Sequence, residues 1–352
     1  MKAIVHTKYG PPDVLQLKDV ERPVPLDDEV LVEVCAASVN AYDWHFLTAD
    51  VFLIRLMGKG LLKPQKTTLG ADIAGMVTAT GKDVRRFQPG DQVFGIAKGG
   101  SGGFAEYVCA REKTLELKPA NVSFEEAAAA PLAAITALQG LRDEGQIKPG
   151  ENVLIHGASG GVGTFAVQIA KSFGAEVTAV CSSRNVEIAR SIGADHIIDY
   201  TRDDFTKNGK LYDLILVANG NRSIFEYKRS LKPNAACVLV GGGNTSIVSL
   251  LTGMLLQWWI SKTGSKKIGS FLAKTTQKDL TCVKELLESG KLKPVIDRRY
   301  PLSETAEALR YIGEGHAKGK IVITMEHAGK THVNPDRENH DGQSGFSAST
   351  GG

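Results

Sequence analysis

Seven residues near the middle of the chain, Gly157 to Gly163, read GASGGVG. They lie between an apolar run, NVLIH, and an amphipathic one, VGTFAVQIAKSFG. Gly160 and Gly161 let a backbone approach a pyrophosphate, and Gly163 lets a helix pack on the preceding strand. A helix opening at that point adds amide donors and a partial positive charge. Ala158 makes the turn a variant of the GxGxxG fingerprint, and its strand–turn–helix setting is what gives it weight. The next strand candidate, AEVTAVC, runs into CSSRN. Recognition of a plain ribose asks for an acid near that strand end, and none is present. Ser182, Ser183 and Arg184 offer hydroxyls and a guanidinium instead, which suit a 2′-phosphate. This favours NADPH over NADH, the alternative for Arg184 being a solvated residue at a helix start.

These groups need elements to hold them. Residues 1–122 are β-rich, with EVLVEVCAASV, GMVTATG and FAEYVCA bounded by Gly, Pro or Asp turns, a spacing that suggests a partly open barrel. SFEEAAAAPLAAITALQGL then opens a helical run, with Ser123 and Glu126 at capping-box spacing. From Glu151 onward, apolar strands alternate with amphipathic helices, the pattern of a doubly wound parallel sheet. KDLTCVKELLESGKL predicts a helix ended by Gly290, and a strand, a helix and a strand follow. The last segment, 327–352, is rich in Gly, Ser, Asn and charge and is expected to be a disordered tail.

Composition narrows the function classes. The chain has 352 residues, 42% hydrophobic and 23% charged, enough for two domains with real cores. A net charge of +3 gives no footing for a nucleic-acid partner. Cys35, Cys109, Cys181, Cys237 and Cys282 are odd in number and dispersed, against a disulfide framework or a cysteine-rich zinc site. A reducing, cytoplasmic location is expected, and the N-terminus lacks a secretory pattern. The most apolar run, Ser246 to Ile260, is short for a bilayer and is expected to be a buried or interfacial helix, with peripheral membrane contact as the alternative.

The chain resembles the zinc-free, quinone-oxidoreductase branch of the medium-chain dehydrogenase/reductase superfamily. The resemblance runs from Met1 to Ile323 and rests on SVNAYDW, GADIAGMVTATGKDVRRFQPGDQVFG, GGFAEYV, AAPLAAITAL, HGASGGVGTFAVQIAK and GADHIIDY. It implies an α/β fold, a Rossmann doubly wound parallel sheet (123–267) inserted in a β-rich GroES-like catalytic domain (1–122 and 268–326). It also implies contacts. Thr136 would sit near the nicotinamide ribose or pyrophosphate, and Ser159, Gly160, Gly161 and Val162 would hold the pyrophosphate. Ser183, Arg184 and Tyr200 would surround the adenosine 2′-phosphate. Asn219 and Gly241 would line the cleft, and Lys320 would reach back toward the coenzyme. The family's lysine near the 2′-phosphate falls at Asn185 here. A homodimer is implied by resemblance alone.

Zinc-dependent relatives draw three ligands from separate segments, and here those places are Asn40, Ala71 and Leu132. None supplies a thiolate or an imidazole, so no metal is expected. Without a Lewis acid, reduction of an activated acceptor is easier than oxidation of a simple alcohol. A quinone or an α,β-unsaturated carbonyl spreads the incoming charge onto an oxygen, and the protein needs to position it and offer a donor. Asn40 is a candidate to hold the nicotinamide amide or the acceptor oxygen, its alternative being a turn residue that satisfies backbone groups. Tyr42 is a candidate donor to a developing enolate, its alternative being packing. Asp43 is expected to tie the loop together. Trp44, His45, Trp258 and Trp259 are candidate pocket walls. The alternatives are a one-electron quinone reductase and an NADPH-binding interaction protein with little turnover.

Overall fold

The structure is a computed structural model, and it describes residues 1–49, 63–220, 222–240 and 265–326. The chain opens with a two-stranded antiparallel ribbon, β1 (Lys2–Val5) and β2 (Gln16–Asp19). The long strand β3 (Glu29–Val39) follows, then α1 (Ala41–Thr48), β4 (Asp72–Thr80), β5 (Gln92–Ile96), β6 (Tyr107–Arg111) and β7 (Leu115–Leu117).

Two short helices come next, α2 (Phe124–Ala129) and α3 (Pro131–Gln139). The reciprocal cap at Ser123 forms as its spacing predicts, with Ser123 N donating to Glu126 Oε2 at 2.8 Å and Glu126 N to Ser123 Oγ at 3.2 Å. The single helical run expected here is broken, because Pro131 lacks an amide hydrogen and its ring crowds the preceding turn.

The alternating half consists of β8 (Asn152–His156), α4 (Gly161–Ser172), β9 (Glu176–Cys181), α5 (Val186–Ser191), β10 (His196–Asp199), β11 (Tyr212–Val217), α6 (Ile224–Arg229), β12 (Leu231–Val240) and β13 (Lys267–Phe271). Its six strands are all parallel, in the order β10-β9-β8-β11-β12-β13. This is the doubly wound Rossmann order, and its topological switch point lies between β8 and β11. The sheet runs a few residues past 267, where the coenzyme domain was expected to end.

The chain ends its described part with α7 (Gln277–Glu288), β14 (Ile296–Pro301), α8 (Thr305–Gly313) and β15 (Lys320–Thr324). β14 and β15 rejoin the first half, in a seven-stranded sheet ordered β14-β15-β3-β4-β5-β7, with β6 on β3. One register fixes the site. Ile321 pairs with Val39, and Ser38 pairs with Asp72, so Lys320, Asn40 and Asp72 come to one end of three adjacent strands.

The two sheets share packing. One apolar cluster runs from Ala36, Ala74 and Val322 through Ala127–Ala130 to Ile155 and Phe165. The alanine side chains are small enough for α2 to bring both sheets close to the α4 N-terminus. A backbone bridge between Gly160 and Gly319 joins the glycine turn to the start of β15. Among the described residues no helix is long and apolar enough to cross a membrane. The tail 327–352 and the run Ser246 to Ile260 lie outside the described residues.

Candidate active site

The glycine turn leaves β8 at the switch point. Gly157 has φ +83°, a left-handed conformation, and an added Cβ would lie 2.6 Å from the Asn219 amide. At Gly163 a Cβ would lie 2.0 Å from the Gly157 carbonyl oxygen, so α4 approaches β8 only because that hydrogen is there. Gly160 is different: its nearest neighbour to an added Cβ is 3.6 Å away, leaving the backbone open on that side. The first α4 turn has no side-chain cap, and its intrahelical bonding starts with Thr164 N donating to Gly160 O at 3.0 Å. Amides are therefore left for an anion, beside the half-buried Ser159. A coenzyme pyrophosphate fits this cradle.

The adenosine end is built from the turn after β9. Asn185 Nδ2 donates to Ser159 Oγ at 2.9 Å and Ser182 Oγ at 3.3 Å, binding that turn to the glycine turn. Ser183, Arg184 and Tyr200 are exposed around it. An acid is here after all, brought by the neighbouring strand. Asp199, the last residue of β10 and the register partner of Cys181, accepts from Ser183 Oγ at 2.5 Å. Sequence reading looked for that acid on β9 and missed it, because strand adjacency sets its place.

Toward the middle of the cleft, Asn219 is exposed where β11 ends, and its amide donates to the His156 carbonyl at 3.2 Å. Thr136 is buried, and its hydroxyl donates to Leu132 O at 2.6 Å within α3. Gly241, Trp258 and Trp259 lie outside the described residues.

The inner end of the cleft holds a buried polar cluster. Asn40 caps α1, and its side chain also joins this cluster. Its Oδ1 accepts from Lys320 Nζ at 2.5 Å, and its Nδ2 donates to Asp72 Oδ2 at 3.0 Å and Ser38 O at 3.4 Å. Asp72 also accepts from Ser38 Oγ at 2.8 Å and from the Leu132 amide at 2.9 Å. Lys320 Nζ stands 3.4 Å from Asp72, and their side chains are 2% and 0% exposed. Burial pulls the Lys320 ammonium below its ordinary pKa, while Asp72 and Asp43 work against that shift. The lysine stem passes the glycine turn, its Cδ 3.2 Å from where a Gly161 Cβ would stand.

Asp43 does what the sequence suggested. Its two oxygens accept from the amides of Asn40 and Gly70, each at 2.9 Å, fixing the start of α1 against the turn before β4. Burial pushes its carboxyl up to about 7. Tyr42 is half-buried, its ring tilted 34° against that of Phe46 with 4.3 Å between centroids, and its hydroxyl lies over Gly100. Burial, and then the Asp43 charge, push its hydroxyl up to about 12, so it keeps its proton at neutral pH. Trp44 points elsewhere, packing on Gly313 of α8.

The donor set does not suit zinc. Ala71 and Leu132 have no ligating atom, and among the described residues no three His, Cys, Asp or Glu side chains gather as a metal site. The place beside Asn40 and Asp72 is taken by a cation of the protein's own, Lys320. Sequence spacing could not reveal this group, because 280 residues separate Asn40 from Lys320.

Comparisons with known proteins bear on the family and the fold. Residues 26–120 match the alcohol dehydrogenase GroES-like domain family, and residues 192–323 match the zinc-binding dehydrogenase family. A quinone-oxidoreductase homolog, chloroplastic, of Spinacia oleracea is 34% identical over 340 residues, covering 92% of this chain and 98% of that protein. An NADPH-dependent alkenal/one oxidoreductase, chloroplastic, of Arabidopsis thaliana is 34% identical over 338 residues, covering 92% and 79%. The solved quinone oxidoreductase from Coxiella burnetii superposes with a TM-score of 0.82 at 31% identity, covering 93% of this chain and 99% of that one.

Proposed function

The chain belongs to the quinone-oxidoreductase branch of the medium-chain dehydrogenase/reductase superfamily, and on that premise we propose that it is a zinc-independent, NADPH-dependent reductase of quinones or α,β-unsaturated carbonyls. The carrying observation is the buried Lys320–Asn40–Asp72 cluster, a fixed cation where a zinc-dependent enzyme would need ligands.

In this reading Ser159, Gly160, Gly161 and Val162 hold the coenzyme pyrophosphate, and Ser182, Ser183, Arg184 and Tyr200 surround the adenosine ribose and its 2′-phosphate. Thr136 lies near the nicotinamide ribose or pyrophosphate, and Asn219 lines the cleft. The bound dihydronicotinamide supplies the hydride. The chain's own residues orient and donate. Both ends of the Asn40 amide are engaged within the protein, so Asn40 acts by aiming Lys320 rather than by touching the acceptor. Lys320 spends two N–H groups on Asn40 and Asp72, and the third would be the one offered to a bound coenzyme. Tyr42, protonated at neutral pH, donates to the oxygen on which charge develops.

The proposal extends to the remaining expectations. The division into a GroES-like domain and an inserted coenzyme domain is part of it, as is a homodimer through the edge of the parallel sheet. The Spinacia and Arabidopsis relatives described above are chloroplastic, and the cytoplasmic placement rests on the five dispersed thiols.

The test follows NADPH oxidation by absorbance with a panel of quinones and short and long enones, before and after exhaustive chelation. We expect two-electron products and unchanged rates after chelation. Tight NADPH binding with no turnover, a trapped semiquinone, or metal-dependent loss of activity would each overturn the proposal.

A further inference from the structure

We propose that Asp199, acting through Ser183, sets the coenzyme preference, so that the site takes both the phosphorylated and the plain adenosine ribose and the balance lies between Asp199 and Arg184. The inference rests on the coenzyme reading given above.

The argument starts from one proton. Ser183 Oγ donates to Asp199 Oδ2 at 2.5 Å and stands 3.0 Å from Thr201 Oγ1. A hydroxyl has a single hydrogen, and here the carboxylate holds it. Ser183 therefore presents lone pairs to a ligand, which suits a ribose hydroxyl that can donate. It does not suit a 2′-phosphate, which has only acceptors. The carboxylate is itself fixed. Asp199 Oδ1 accepts from Thr201 N at 3.0 Å and Thr201 Oγ1 at 2.7 Å, with the Arg202 guanidinium 3.7 Å away. These bonds to Ser183 and Thr201 hold its carboxyl below the usual range, so it is charged at neutral pH.

The rest of the turn is short of donors. Both bonds from Asn185 Nδ2 go to serine oxygens, and Asn185 Oδ1 is buried with no hydrogen-bond partner. A dianionic 2′-phosphate would bring further acceptors to this turn. What favours the phosphate is the exposed Arg184, one residue from Ser183, which has no ion pair among the described residues. Cation and carboxylate thus flank Ser183 with opposite demands. Arg202 beside Asp199 offsets part of the negative charge, which is why the acid tempers the phosphate without excluding it.

The experiment measures binding of ADP-ribose and 2′-phospho-ADP-ribose by calorimetry, which needs no turnover. Freeing the Ser183 hydrogen to donate to the 2′-phosphate gains one hydrogen bond to a charged group, worth about tenfold. We expect wild type to bind both ligands, Asp199→Asn to shift the ratio about tenfold toward the phosphorylated one, and Arg184→Ala to shift it the other way. In a Ser183→Ala background the Asp199→Asn shift should shrink, because the hydroxyl that carries it is gone. A ratio unchanged within about twofold in Asp199→Asn sinks the proposal alone, as does a full shift without Ser183. Binding of neither ligand by wild type sinks the coenzyme reading and this proposal with it.

Discussion

Lys320 Nζ and Asn40 Oδ1 are 2.5 Å apart in a buried pocket at the end of three strands, though 280 residues separate them. An ammonium taken out of water is stable there only with partners, and Asp72 is the second.

Lys320→Met keeps the unbranched stem of the side chain and removes its charged end. It leaves Asp72 buried without its cation, so stability should fall by about 3–5 kcal/mol. Adding Asp72→Asn should restore most of the loss, read as denaturant midpoints. Acceptor reduction should stay low in the double variant, since the charge that meets the coenzyme is missing. Recovery of turnover together with stability would limit Lys320 to a packing role.

Two neighbouring glycines should behave differently. Gly163→Ala puts a methyl 2.0 Å from the Gly157 oxygen and should cost about 1–3 kcal/mol, because α4 must move off β8. Gly160→Ala meets nothing closer than 3.6 Å and has φ −82°, so thermal stability should hardly change. Its methyl occupies the open side of the turn, so NADPH affinity should drop. Melting curves with and without NADPH separate the two effects.

Tyr42→Phe removes the proposed donor and keeps the ring packed against Phe46. Turnover should fall roughly 10²-fold while the NADPH dissociation constant stays within about twofold. Equal kinetics in wild type and variant would move the donor elsewhere.

His156 gives a pH signature. It is buried, its Nδ1 lies 2.9 Å from the Tyr227 hydroxyl, and burial, aided by Arg222, pushes its pKa down to about 4. The unfolded chain takes up that proton first, from near 6.5. Stability from this group is therefore present above the unfolded value and lost as pH falls toward 4, up to about 3 kcal/mol. His156→Gln should lose less than wild type between pH 7 and 4.5, measured by chemical denaturation at both. A difference that stays constant with pH would rule this titration out as a source of acid lability.

The parallel sheet and the phosphate turn were legible because their signals are local: apolar strands, amphipathic helices, and a glycine set at the junction. The break at Pro131 was also written in the residues, and only the alanine run on either side disguised it. Asn40 and Lys320 were each singled out, one from its residue type and the other by resemblance, but their meeting with Asp72 was not legible, since it comes only through the pairing of β15, β3 and β4. Asp199 escaped for the same reason. Which strand lies beside β9 decides what faces Ser183, and that choice is made by the sheet.

The return of β15 to β3 also has a consequence in time. Every described strand of the coenzyme sheet has been translated once Phe271 is added, roughly fifty residues before Lys320. At about 5–20 residues per second, the nascent chain spends several seconds with its nucleotide half fully encoded and Asp72 without its ammonium partner. The reducing centre is therefore completed only after the described strands of the coenzyme sheet have been made.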